Sequence, residues 1–171
     1  SARFEFSIEN GTSEAIRELS QELVGVSRER IGEEIKKMLL DQNRGVAGWE
    51  LQYLGLDRIV LAEESCMNAP TRLGRLPAKS TYATALAAWI IDRHSSESDV
   101  QGVAANWRSS LLLSNQTYQE LEQILELHKN FLNWDAIGTA KQKRNASSEH
   151  AISALAILQA EDRSLFIHIK R

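Results

Sequence analysis

Apolar residues return every three or four positions along nearly the whole chain, and no set of alternating segments could supply a sheet. Ala15, Ile16, Leu19 and Leu23 predict a first helix, with Glu14, Arg17, Glu18 and Glu22 on its other face and Thr12 as its N-cap. Ser27 predicts a second cap, ahead of Ile31, Ile35, Met38 and Leu39. Val46, Trp49, Leu51, Tyr53 and Leu54 mark a third helix, which Gly55 ends by entering the left-handed region. Lys79 to Asp92 reads as a strongly apolar helix, and Val100, Val103, Ala104, Trp107 and Leu111 repeat the period. Ser114 caps a long helix through Tyr118, Leu121, Ile124, Leu125 and His128, and a last one carries Ala151, Ile152, Leu155, Ala156 and Leu158. Leu165 to Ile169 alternates weakly, as a short strand or an ordered tail would. The expected fold is all-α, a multi-helical array of about seven to eight helices.

Two prolines in 171 residues leave few places to interrupt such helices. Both fall between Glu63 and Pro77, the candidate linker, which divides the chain into residues 1–64 and 65–171. The length suffices for one core or two small helical ones. No apolar run approaches the roughly 20 residues that span a bilayer. Ser1-Ala2-Arg3-Phe4 lacks the basic-then-apolar order of a signal peptide, so the cytoplasm is the default compartment. Cys66 is the sole cysteine, which excludes an internal disulfide and a cysteine-based metal cluster.

A net charge of −3 does not by itself suggest a nucleic-acid binder, but the charge is uneven. Ser1–Glu64 holds 8 basic and 13 acidic residues, net −5; Ser65–Arg171 holds 12 and 10, net +2. No acidic residue lies between Ser65 and Ile91, a stretch that includes Arg72, Arg75 and Lys79. Lys141, Lys143 and Arg144 form the densest basic cluster. Either group could hold RNA phosphates or be no more than a solvated loop. His94, His128, His150 and His168 share no metal-ligand spacing and are expected at the surface or in packing.

The order Ala2-Arg3-Phe4-Glu5-Phe6-Ser7-Ile8-Glu9, then Thr12, Ala15-Ile16 and Leu19, then Ser27-x-Glu29-Arg30-Ile31-x-x-Glu34-Ile35, resembles the neck of tRNA nucleotidyltransferases (CCA-adding enzymes) and bacterial poly(A) polymerases. Isoleucine stands at 35 where that family has leucine, and the Leu54-Gly55-Leu56 turn also fits. Beyond Glu64 only Leu113-Ser114-Asn115 is similar. The resemblance implies the C-terminal, RNA-binding and scaffold part of an enzyme that adds nucleotides to the 3′ end of tRNA or other RNA. It places a catalytic head upstream of Ser1, with Mg2+ and ATP or CTP bound there, and no catalytic residue, metal or cofactor in this chain. No Asp-x-Asp pair of the kind that binds catalytic metals occurs here. CCA addition, A addition and poly(A) synthesis are not distinguished, nor is the oligomeric state.

The same resemblance assigns Ser27, Glu29, Arg30 and Glu34 to bracing of the neck, with Arg30 and Glu34 four residues apart and able to pair. It also assigns Lys141, Lys143 and Arg144 to the RNA-facing tail. Relatives often carry a His-Asp phosphohydrolase motif; here Ile91 stands before Asp92, so no such activity is expected. Two alternatives come from the residues. Arg144-Asn145 with His150 resembles the Arg-x-x-x-x-x-His signature of helical HEPN ribonucleases, which cleave RNA by metal-independent acid–base chemistry. A helical protein-interaction module could instead present Trp89 or Trp107, although both fit a core.

Overall fold

The computed structural model describes residues 8–94, 99–161 and 169. Its helices are α1 (Asn10–Glu18), α2 (Arg28–Leu40), α3 (Arg44–Tyr53), α4 (Asp57–Leu61), α5 (Thr71–Arg75), α6 (Tyr82–Arg93), α7 (Val100–Ser110), α8 (Asn115–Leu132), α9 (Thr139–Ala146) and α10 (Ala151–Glu161). Short 3-10 turns cover Ser20–Gly25 and Trp134–Ala136. There is no strand among the described residues, and the all-α expectation holds. Of Leu165–Ile169 only Ile169 is described, and it is helical; His168 and Ala2–Ser7 lie outside the described residues.

Local signals placed several boundaries correctly. Ser27 accepts from the Arg30 amide and Ser114 from the Thr117 amide, as N-caps do. Gly55 sits at φ 70, the left-handed region that glycine enters without a Cβ penalty. Thr12 is a correction. The first helix starts earlier, and the Glu9 carboxylate caps it by accepting from the Thr12 amide and hydroxyl.

The interior is built around α6. From Ala83 to Ile90 every side chain is buried, because α8, α5, α2, α10 and α7 cover it on all sides. One apolar cluster runs from Ile31 of α2 to Leu158 of α10, so residues on both sides of position 64 share it. Trp89 and Trp107 meet edge-to-face at 5.2 Å and 70° in its centre. Such a pair contributes about 0.5–1.5 kcal/mol beyond its buried area. Both tryptophans are fully buried, which removes them as a docking surface.

The candidate linker is not a loose tether. It folds α5 into the core, with Leu73 fully buried. Asp92 makes this possible: its carboxylate accepts from the backbone amides of Arg72 and Leu73 and from the Arg72 guanidinium. Burial pushes the Asp92 carboxyl above its ordinary value, and these three donors pull against that shift. Asp92 thus satisfies amides at the start of α5.

A second buried polar knot joins α4, α6 and α7. Arg93 donates to Asp57 at 2.8 Å, to Glu63 at 3.2 Å and to the Glu64 carbonyl at 3.1 Å. Glu63 also accepts from the Trp107 indole at 2.7 Å and lies 2.9 Å from His94 Nε2. Burial would raise the Glu63 carboxyl, but His94, Arg93 and Trp107 together outweigh it and hold the group below its ordinary range.

Candidate nucleic-acid interface

Six predicted RNA-binding cations occupy different settings. Arg72 is the correction among them. Its side chain is mostly buried and ion-paired with Asp92 at 3.0 Å, so it belongs to the packing of α5 on α6. Arg75 is exposed, with Nη1 also donating to the Ala160 carbonyl on α10. Lys79 is exposed in the turn before α6. Lys141, Lys143 and Arg144 lie on a helix, α9, and not in a loop. At 100° per residue Lys141 and Arg144 share a face, while Lys143 points to the opposite side from Lys141. Lys143 and Arg144 are exposed and Lys141 half-buried.

Arg144 lies in the last turn of α9, and His150 lies beyond the helix with Nε2 3.4 Å from the carboxylate of its neighbour Glu149. Of the other described histidines, His94 is in the Glu63 knot and His128 is buried. No three His, Cys, Asp or Glu side chains among the described residues converge as metal ligands.

The neck motif is rearranged relative to its expected pairing. Glu34 pairs with Lys37 at 2.8 Å, not with Arg30, and both partners are well exposed. Arg30 and Glu29 are exposed too. Arg28, beside them, makes the long-range contact. Its Nη1 donates to the Ile59 and Val60 carbonyls at 2.8 and 3.2 Å, tying the start of α2 to α4. Arg44 does the same for α3. Fully buried, it donates to the carbonyls of Asp41, Pro77 and Ala78.

Helix α3 is turned inside out. Its buried face consists of Arg44, Gly48 and Gln52, at i, i+4 and i+8. Gln52 is satisfied there, donating to the Cys66 and Asn68 carbonyls and accepting from the Trp89 indole at 2.8 Å. The exposed stripe is Val46, Trp49 and Tyr53, at i, i+3 and i+7. Trp49 is 37% exposed and Tyr53 51%, against 0% for Trp89 and Trp107. The two α3 rings stack at 6.4 Å and 24°, and the Arg17 guanidinium lies 4.5 Å over Tyr53. Of the apolar residues whose spacing marks this helix, Leu51 packs against the core and Leu54 beside it is buried, while Val46, Trp49 and Tyr53 face out.

This surface therefore combines one arginine with two stacked aromatic rings. Residues 5–61, about a third of the chain, match the family described as the probable RNA and SrmB-binding site of polymerase A. No curated protein and no solved structure matches. The matched segment includes α1 to α4, hence Arg17, Arg28, Arg44 and the α3 stripe. The N-terminal third is therefore similar to the RNA-binding region of a polymerase A type of nucleotidyltransferase. No helix among the described residues is long and apolar enough to cross a membrane.

Proposed function

We propose that this chain is the RNA-holding scaffold of a template-independent RNA nucleotidyltransferase. It presents the 3′ end of tRNA, or of another RNA, to a catalytic head belonging to the same enzyme. The observation that carries this reading is the match of residues 5–61 to the polymerase A RNA-binding region. The exposed cations Arg75, Lys79, Lys143 and Arg144 support it. In this division of labour the head holds Mg2+ and ATP or CTP and supplies the transfer chemistry, while this chain contributes phosphate contacts and shape. No geometric observation favours the ribonuclease reading of Arg144 and His150.

Backbone phosphates release counterions when lysine or arginine neutralises them, so binding must weaken with salt. Titrating the chain with tRNA lacking its 3′ end, across a salt series, tests the proposal. Saturable binding with a negative log–log slope is expected. The triple Lys141→Ala, Lys143→Ala, Arg144→Ala variant should bind less tightly, with a slope flatter by about 2 units. A parent chain without salt-dependent RNA binding would sink the reading, and RNA cleavage lost on Arg144→Ala would favour the ribonuclease.

A further inference from the structure

A groove of about 530 Å³ runs beside the α3 stripe. Val46 and Trp49 form one wall, and Pro70, Thr71 and Arg75 at α5 form the other. Its floor is the closest approach of two helices: a Cβ on Gly45 would lie 2.5 Å from the Gly74 Cα. Three other surface grooves each contain carboxylates, namely Glu34, Asp41 and Glu50 in one, Glu122 and Glu126 in a second, Glu29 and Glu33 in a third. Among the described residues, the groove beside Trp49 has no carboxylate in its lining and has an arginine. It therefore joins an aromatic wall from the matched segment to a wall from the acid-free stretch beyond it.

The inward face of α3 gives no packing reason for the outward aromatics. Arg44, Gly48 and Gln52 dock the helix, and Val46, Trp49 and Tyr53 are left facing out. Arg17, Tyr53 and Trp49 make a continuous stack with Trp49 at the groove. A rigid ring at the end of such a stack suits a nucleobase, since every base has a π-face, and a flanking arginine suits the phosphate that follows it. Charge decides between RNA and a protein partner. An apolar groove for a helix would tolerate carboxylates at its rim, whereas a polyanion would be repelled by them.

We propose that this groove holds an unpaired stretch of RNA, with one base stacked on Trp49 and the neighbouring phosphate at Arg75. The assignment rests on the RNA-holding reading above and specifies which form of RNA the α3–α5 groove takes: single-stranded, and recognised by stacking instead of by base sequence. Inside double-stranded RNA the base faces cover one another, so a duplex offers phosphates and only its end faces.

The probes are a ten-nucleotide oligo(A) and a blunt-ended RNA duplex, each titrated against the whole chain. Oligo(A) should quench tryptophan emission in the parent but not in Trp49→Phe, which retains a ring and most of the affinity. Trp49→Ala should bind oligo(A) roughly 5- to 150-fold more weakly, with an unchanged salt slope and unchanged duplex affinity. Arg75→Gln should flatten the oligo(A) slope by about 0.7. Trp49→Ala with the parent's oligo(A) affinity overturns the groove assignment and leaves the RNA-holding reading standing. So does a parent that binds only the duplex. A parent that binds neither probe overturns both. If Trp49→Ala abolishes self-association in sedimentation while oligo(A) affinity persists, the stripe is a protein contact and the assignment fails.

Discussion

Two arginines two positions apart in the neck motif have opposite surroundings. Arg28 donates to two carbonyls of α4, while Arg30 points into solvent. Replacing Arg28 by alanine should lower the unfolding free energy by about 1.5–3 kcal/mol, the range for charged hydrogen bonds, and Arg30→Ala should leave the denaturant midpoint unchanged. A larger loss at Arg30 would contradict the geometry. Arg93 is more demanding still. Truncating it leaves Asp57 buried without its partner, so Arg93→Ala should cost about 3–5 kcal/mol by the same measurement. Glu63 makes a pH-dependent contribution. Its folded-state carboxyl is held below the ordinary 4.5, so its stabilisation is complete above that pH and disappears as pH falls through the lower folded value. Asp92 shifts the opposite way, so the informative quantity is the difference between parent and Glu63→Gln. The variant should show the flatter acid limb in unfolding titrations from pH 6 to 3, and parallel limbs would discount the knot.

At the scale of elements, what was legible in the sequence was local. A capping serine satisfies an amide three residues away, and a glycine after a helix adopts its own φ, so Ser27, Ser114 and Gly55 could be placed without knowing the fold. What was not legible depends on distant partners. Helix α5 exists where Asp92, some twenty positions later, meets its first amides, and no window around Pro70 contains that information. The inversion of α3 was hidden for a similar reason. Periodicity shows which residues share a face, but the inward face is decided by Gln52 and Arg44 finding partners on the 66–78 segment. Helix α3 also approaches α5 too closely for a side chain at the crossing. Gly45→Ala should therefore push the two helices apart, with a loss of stability measurable by denaturant, and should weaken oligo(A) binding even though Trp49 remains. Full stability with full oligo(A) affinity would mean that the crossing yields at no cost.

For the molecule as a whole, the shared core predicts a single cooperative transition, since α2 and α10 contribute to one apolar cluster. Separate unfolding of residues 1–64 and 65–171, seen by calorimetry, would instead support two domains. The chain should also leave tRNA unlabelled when incubated with magnesium and ATP or CTP, because its described residues bring no metal-ligating set together. Incorporation by clean protein would overturn the scaffold role.

The Arg93 knot also has a consequence for the order of synthesis. Asp57 and Glu63 leave the ribosome well before Arg93, and Trp107 follows later still. Until then α4 has a carboxylate that must either stay in water or be buried without its cation, and it will stay in water. The matched N-terminal segment therefore has no way to complete its docking while it is being made, and the wall of the α3–α5 groove remains unassembled with it. Nascent chains halted before Arg93 should be cleaved readily by protease, and only those extended past α10, which completes the shared core, should resist. The chain would thus complete the α3–α5 groove late, in one step, once α10 has been translated.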